Sequence, residues 1–346
     1  MPTADEFKQR AVEQLAARPF RPVWWARSGF AQTALAGLGN RRHAAELAAE
    51  TWNLPDGDFV QMHFADHDPR APLVLLLHGL EGSRRSTYVG AMLRQARNRG
   101  FGFAVLEFRS CSGQPNRAKR SYHSGETSDL GYVVERLRAR WPERPLLLVG
   151  YSLGGNVLLK WLGECSALVP DTVCGAAAVS VPYDLGTAAR QCDARYGGLL
   201  TRHFLRTLVP KALAKAQQYP RLLDAAAVRR CRTFAAFDDL VTAPLHGFRS
   251  AQHYWQTASS AQFLDSVRVP TLLVGAEDDP LVPGTVLPFA ACAASPFLVP
   301  LFPARGGHCG FVAGTRLGSP YRWAERQVAQ FFAQCLERVG ITARAP

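Results

Sequence analysis

From residue 72 the chain alternates short unbroken apolar runs with longer stretches of helical spacing. The runs are Leu73–Leu77, Phe103–Phe108, Leu146–Val149 and Gly175–Val181. Between them, Ser86–Arg99 and Glu126–Trp141 place apolar residues along one helical face. Strands that are apolar on both faces belong to a buried, mostly parallel sheet, and the intervening helices supply the crossovers. The rhythm breaks from Tyr183 to Leu264, a helix-prone, charged stretch rich in Arg and Ala. It resumes with Thr271–Gly275, a helical patch from Gly284, the run Phe297–Phe302 and a last helix over Tyr321–Val339. The pattern predicts an α/β fold with a mostly parallel central sheet flanked by helices, covering residues 51–182 and 265–340, with a helical cap inserted at 183–264. Residues 1–50 read as an N-terminal extension packing on this core. Within it, Ala4–Ala17 has helical spacing, and Arg21-Pro22-Val23-Trp24-Trp25 is expected to pack across the main domain. Leu54–Asp58 carries turn chemistry between two strand-like runs, which predicts a hairpin.

Composition narrows the classes. With 346 residues, 47% of them hydrophobic, the chain can bury a large core. No apolar run approaches the ~18 residues of a membrane-spanning helix. Met1–Arg18 is polar and mixed in charge, unlike a secretory signal. The eight cysteines are scattered with no Cys-x-x-Cys pair, which predicts reduced thiols and a cytoplasmic location. No His/Cys group has ligand spacing, so neither a metal nor a cofactor is expected. The net charge of +12 is spread in short clusters such as Arg84-Arg85, Arg117–Arg120 and Arg229–Arg232. None interleaves with aromatics, so no nucleic-acid partner is expected. The charge reads as a solvated basic surface, with weak attraction to an anionic membrane surface left open.

The candidate chemistry begins where Leu146–Val149 runs into Gly150-Tyr151-Ser152-Leu153-Gly154, followed at once by the helix-like Asn156–Leu162. A strand, Gly-x-Ser-x-Gly and a helix in that order form a nucleophile elbow of the α/β-hydrolase kind. A serine hydroxyl needs a base to take its proton and an acid to orient that base. In this fold class they follow in the order Ser, acid, His. Of the nine histidines only His308 lies beyond residue 253, among glycines after an apolar run. The strand from Thr271 ends in Asp278 and Asp279, which compete for the role of acid. Asp279 precedes Pro280 in an Asp-x-x-Val-Pro turn common in α/β-hydrolases and is preferred. Asp278 reads as a solvated loop or helix-capping carboxylate. The oxyanion needs two aimed N–H donors. Leu153, just after the nucleophile, and Leu80, in the loop His78–Gly82 after the first central run, are the candidates. His78, at a strand end, reads as structural.

Longer motifs carry a closer resemblance. His78-Gly79-Leu80-Glu81-Gly82-Ser83, Phe108–Arg117, Tyr122–Thr127, Gly150–Asn156, the cap segment Phe237–Gly247 and Gly306–Phe311 resemble the YheT-type hydrolases, the AB hydrolase 4 family. The resemblance implies a serine hydrolase of the esterase/lipase kind, with a triad on Ser152, Asp279 and His308. Members of that family act on ester bonds, and animal members are linked to acylglycerols and phospholipids. Those animal members have an N-terminal membrane anchor that is not expected here. Two positions depart from the family: Ser110 stands where Gly is usual, and Phe30 where a His often precedes Gln-Thr. Asp238 and Asp239 read as structural, holding the cap through Arg contacts. Cys309 reads as a packing residue, and Arg109 and His123 as braces of the pocket loops. The function expected is hydrolysis of small-molecule or lipid-like carboxylic esters through an acyl-enzyme on Ser152. Thioesterase, amidase or acyltransferase chemistry on the same triad is the alternative. A non-catalytic binding protein is disfavoured because all three triad residues are present.

Overall fold

The structure, a computed structural model, describes residues 2–38, 42–65, 68–314 and 320–341. Its main sheet has eight strands: β1 (Ala48–Asn53), β2 (Phe59–Ala65), β3 (Leu73–Leu77), β4 (Gly102–Glu107), β5 (Leu146–Tyr151), β6 (Val173–Val179), β7 (Thr271–Val274) and β8 (Leu298–Leu301). The spatial order is β1-β2-β4-β3-β5-β6-β7-β8. β1 and β2 are the predicted hairpin, antiparallel to each other and to β4. Every other pairing is parallel.

Side chains alternate across this sheet as a period of two requires. Leu73, Leu75 and Leu77 pack on one side with Leu106, Leu148 and Leu158. Val74 and Leu76 pack on the other with Val105, Val149, Val328 and Phe332. Both faces are therefore covered, and each fully buried Leu or Val contributes roughly 1.5–3 kcal/mol of burial free energy. The helices that cover them are α1 (Ala4–Ala16), α3 (Thr87–Asn98), α4 (Ser128–Arg140), α5 (Leu153–Cys165) and the C-terminal helix Trp323–Arg338, while α2 (Gly29–Gly37) packs farther out, on α3 and on Val312. Between β6 and β7 the inserted helical region begins with α6 (Leu185–Ala194) and α7 (Leu199–Gln218), and continues through shorter turns to Ala251–Ala258. It has an apolar cluster of its own, built on Leu205, Leu208, Val228, Phe237, Val241 and Leu245.

Several expectations shift when tertiary packing acts. β6 runs from Val173 to Val179 and stops short of Val181, because Ser180 turns to φ 53°. Tyr321 and Arg322 pair with Val312 and Ala313 before the last helix starts. The segment Arg21–Trp25 crosses the core through Val23 and a bridge from Pro22 to Ala313. Its two tryptophans are not part of that packing: Trp24 and Trp25 are 66% and 54% exposed.

Arg109 braces the loop after β4, as its place in the motif suggested. Its guanidinium is buried and donates to Asp56 Oδ2 (2.8 Å), Asp58 Oδ2 (2.8 Å) and both carboxylate oxygens of Asp129 (2.7 Å each). One cation thus ties the β1–β2 turn to the first turn of α4. Burial works to raise Asp56, and hydrogen bonds from Arg109 and Arg120 overcome it, holding the carboxyl down at about 2. Ser110, the departure from glycine, sits at φ 63°. That backbone region favours glycine. Here the serine hydroxyl offsets the strain by donating to Asn116 Oδ1 (2.6 Å) and accepting from Asn116 N–H (3.1 Å).

Candidate active site

β5 delivers Ser152 at φ 52°, ψ −120°, the strained conformation of an elbow. The glycines around it are required by contact. A Cβ at Gly150 would lie 2.4 Å from Gly154 O, and one at Gly154 would lie 2.5 Å from the carbonyl oxygens of both Leu77 and His78. Helix and strand can therefore cross only where no side chain stands between them.

The structure brings Ser152, His308 and Asp279 into one hydrogen-bonded chain. Ser152 Oγ lies 2.8 Å from His308 Nε2, and His308 Nδ1 lies 2.9 Å from Asp279 Oδ2. Asp279 is 2% exposed, and its other oxygen accepts the N–H groups of Leu281 (2.8 Å) and Val282 (3.1 Å). The acid is thus fixed by its own turn. With Nδ1–H donating to Asp279, Nε2 is left to accept the serine proton. Asp278 takes a different part. Its Oδ1 accepts Gly306 N–H (2.8 Å), and its carboxyl also receives the N–H of Gly29, the first residue of α2. It is a half-buried capping carboxylate that ties α2 to the histidine loop.

The surroundings of Leu80 leave its N–H free. Gly79 N–H donates to Tyr88 Oη (2.9 Å), Glu81 N–H to Tyr122 Oη (2.9 Å) and Gly82 N–H to Gly79 O (2.9 Å). The N–H groups of Leu80 and Leu153 donate to no acceptor among the described residues, and both residues line the cavity that holds Ser152 and His308. His78 is structural: Nδ1–H donates to Gly79 O (2.8 Å) and Nε2 accepts Phe108 N–H (3.1 Å). Burial pushes its pKa down to about 4, so the ring is neutral and holds the donor loop in place.

Sequence reasoning missed the platform under His308. Helix α2 lies against the loop so closely that a Cβ at Gly307 would be 2.6 Å from Thr33 N, and one at Gly310 would be 2.2 Å from Gln32 O. The Thr33 hydroxyl accepts His308 N–H (2.8 Å) and donates to Gly29 O (2.7 Å). Gln32 is fully buried and bonds both Val312 N–H (2.7 Å) and Val312 O (3.1 Å). The only signal in the sequence was the Gln-Thr pair after Phe30. Phe30 itself, in the place of a histidine, packs on Tyr196 of the cap with ring centroids 4.9 Å apart. Thr33→Val keeps the shape and removes the acceptor for His308 N–H. A small displacement of the base should then lower kcat by about 10- to 100-fold with little change in KM. Thr33→Ser should restore it, and a steady-state comparison of the three proteins reads the effect; unchanged kcat in the valine variant would deny the platform its role.

A second unpredicted tie is Asn156, in the first turn of α5. Its Nδ2 donates to Ser124 O and Ala258 O (2.8 Å each), and its Oδ1 accepts Ser260 N–H (2.9 Å). The elbow helix thereby grips both the pocket loop and the exit of the cap. His123 braces the same loop: its Nδ1 accepts Gly125 N–H (3.1 Å), and its ring packs edge-on against His246. Among the described residues no arginine pairs with Asp238 or Asp239, contrary to expectation. Asp238 accepts from Thr242 Oγ1 (2.6 Å) and Trp255 Nε1 (2.8 Å), and Asp239 from Ala251 N–H (2.5 Å). Their partners come from within the cap, because the nearby donors are its own helix turns. Cys309 packs on the core at φ 53°, with its N–H donating to Ser180 Oγ (2.9 Å).

Two adjoining cavities meet under the cap. One, about 100 Å³, holds Ser152 and His308 and is otherwise mostly apolar, with Leu185, Ala188, Leu281 and Val282 in its walls. The second, about 130 Å³, adds Glu81, Lys211, Tyr122 and Thr242. No cluster of side chains suited to a metal ion, and no helix long and apolar enough to cross a membrane, occurs among the described residues.

Elbow, base and acid at the C-terminal edge of a mostly parallel sheet define the class, an α/β-hydrolase of the esterase/lipase type. The family model for the alpha/beta hydrolase fold matches residues 72–311, and the chain belongs to that family. YheT of Escherichia coli, a proposed esterase, is 34% identical over 311 residues, covering 88% of this chain and 90% of its own, which bears out the resemblance read from the motifs. The monoacylglycerol lipase of Saccharomyces cerevisiae is 30% identical, covering 76% of this chain and 59% of its own. Among solved structures, the esterase Pf2001 of Pyrococcus furiosus superposes with a TM-score of 0.53 at 15% identity, covering 93% of this chain and 96% of its own. That likeness is one of fold.

Proposed function

We propose that the protein hydrolyses carboxylic esters through an acyl-enzyme on Ser152. The observation that carries this reading is the unbroken chain from Ser152 Oγ through His308 to the buried Asp279, at 2.8 and 2.9 Å. Ser152 Oγ attacks the acyl carbon as His308 Nε2 takes its proton. The oxyanion that forms is received by the N–H groups of Leu80 and Leu153. The bond to the leaving oxygen then breaks, and His308 returns the proton to the departing alcohol. In the second half, His308 takes a proton from water, the hydroxide attacks the acyl carbon, and the bond to Oγ breaks with the proton going back to the serine. Asp279 holds the ring in the required tautomer throughout.

The mostly apolar walls around Ser152 suit an acyl chain, and the names of the relatives favour ester and lipid substrates. The same reading keeps the eight free thiols in the cytoplasm and leaves the +12 charge to attract anionic membrane surfaces weakly. Matched oxygen esters, thioesters and amides of one acyl group, assayed as kcat/KM, test the choice of bond. The oxygen ester is expected to lead, and a leading thioester or amide would assign the protein to another acyl chemistry.

A further inference from the structure

Asp238 occupies a position that its hydrogen bonds alone do not explain. It lines both cavities, at the place where they meet. It belongs to the cap, is half-buried, and forms part of the wall of both cavities. The turn that presents it, Asp238–Thr242, is a π-helical turn, a local widening that frequently marks functional sites. Its two partners, Thr242 Oγ1–H and Trp255 Nε1–H, fill two of the roughly four acceptor sites of a carboxylate. Among the described residues no arginine or lysine pairs with it, and the neighbouring carboxylates that act on it, Asp193 and Asp239, are both negative. Burial and those neighbours raise its pKa to about 6, and the indole N–H of Trp255, which can only donate, shows Oδ2 acting as an acceptor. A carboxylate left short of donors in a cavity is costly unless the ligand supplies one.

The rest of the second cavity says which donor fits. Its charges balance: Lys211 pairs with Glu81 (2.7 Å), and Lys215 lines the same cavity as Asp238, so a neutral donor suits the site better than an ammonium group. We propose that Asp238 is a specificity-determining residue that accepts a hydrogen bond from a hydroxyl group carried by the substrate, so that hydroxylated esters are preferred over alkyl esters of the same size. The inference rests on the ester-hydrolase reading above.

The experiment compares kcat/KM within two matched series. In one the hydroxyl is on the alcohol side, as in glycol monobutyrate against propyl butyrate. In the other it is on the acyl side, as in ethyl hydroxyalkanoates against their methyl-terminated isosteres. A hydrogen bond to a charged group predicts a preference of about 10- to 100-fold for the hydroxylated member in one series, and that series identifies which side of the ester reaches Asp238. In Asp238→Asn the ratio should fall by about tenfold or more. Asp238→Ser serves the same comparison if asparagine unsettles the cap, with circular dichroism certifying the fold. A purely structural Asp238 would lower both members together and leave the ratio untouched. No preference by the wild type in either series, or a preference that survives in the variants, overturns the proposal. Failure to turn over any ester would instead overturn the ester-hydrolase reading.

Discussion

Ser152→Ala is expected to lower kcat for ester hydrolysis by about 10³- to 10⁶-fold while leaving the fold intact. The size of the loss follows from what alanine removes. In the proposed mechanism the hydroxyl is the attacking atom, and His308 Nε2 has no other proton to take within the triad. What remains is binding and the two N–H donors, which together keep some acceleration over water. The fold should not notice the change. Ser152 N–H donates to Val179 O (2.8 Å) and Ser152 O accepts from Gly155 and Asn156, and none of these uses the side chain. KM should move little, since the serine contributes almost nothing to ground-state contact. Steady-state kinetics with an aryl ester, beside a melting curve, separates the two effects. A variant with an unchanged melting temperature and undiminished kcat would remove Ser152 from the chemistry.

The second large effect concerns the frame of the site. Arg109→Met should destabilise the protein by about 3–5 kcal/mol, because removing one partner of a buried ion cluster leaves the others charged and uncompensated. Asp58 and Asp129 are 0% and 2% exposed, so water cannot take over from the guanidinium. Asn116 donates to Asp58 (2.6 Å) and Arg120 reaches Asp56 (2.9 Å), but neither replaces the two-oxygen grip on Asp129. The loop that Arg109 anchors carries Tyr122, His123 and Ser124 into the cavity walls, so activity should also fall before the protein melts. Urea unfolding of wild type and variant measures the difference, and a change below about 1 kcal/mol would show the cluster to be dispensable.

The elbow, the acid turn and the histidine loop were legible in the sequence because each is a local pattern. Gly150, Ser152 and Gly154 are one turn; Asp279 and Pro280 are another; His308 stands alone in the last part of the chain. What could not be read was set by contacts between distant segments. Thr33 supports His308 across 275 positions, and Asn156 holds Ala258 across 102. No periodicity encodes such pairs. For Asp238 only the expected arginine partners failed, for a related reason. Its partners Thr242 and Trp255 are near in sequence, yet its direction depends on a π-helical turn that propensity does not predict. The segment Arg21–Trp25 was expected to pack across the main domain, yet Val23 is buried while Trp24 and Trp25 stay exposed. The fold class was easier, since strands apolar on both faces leave few alternatives to a covered parallel sheet.

The central claim is that acyl groups pass through Ser152, and covalent trapping tests it most directly. The folded wild-type protein would be treated with a fluorophosphonate, digested, and mapped by mass spectrometry. The account predicts one adduct, on the Ser152 hydroxyl, absent from Ser152→Ala. Contradiction would come from folded protein that stays unmodified, or from an adduct on any residue other than Ser152.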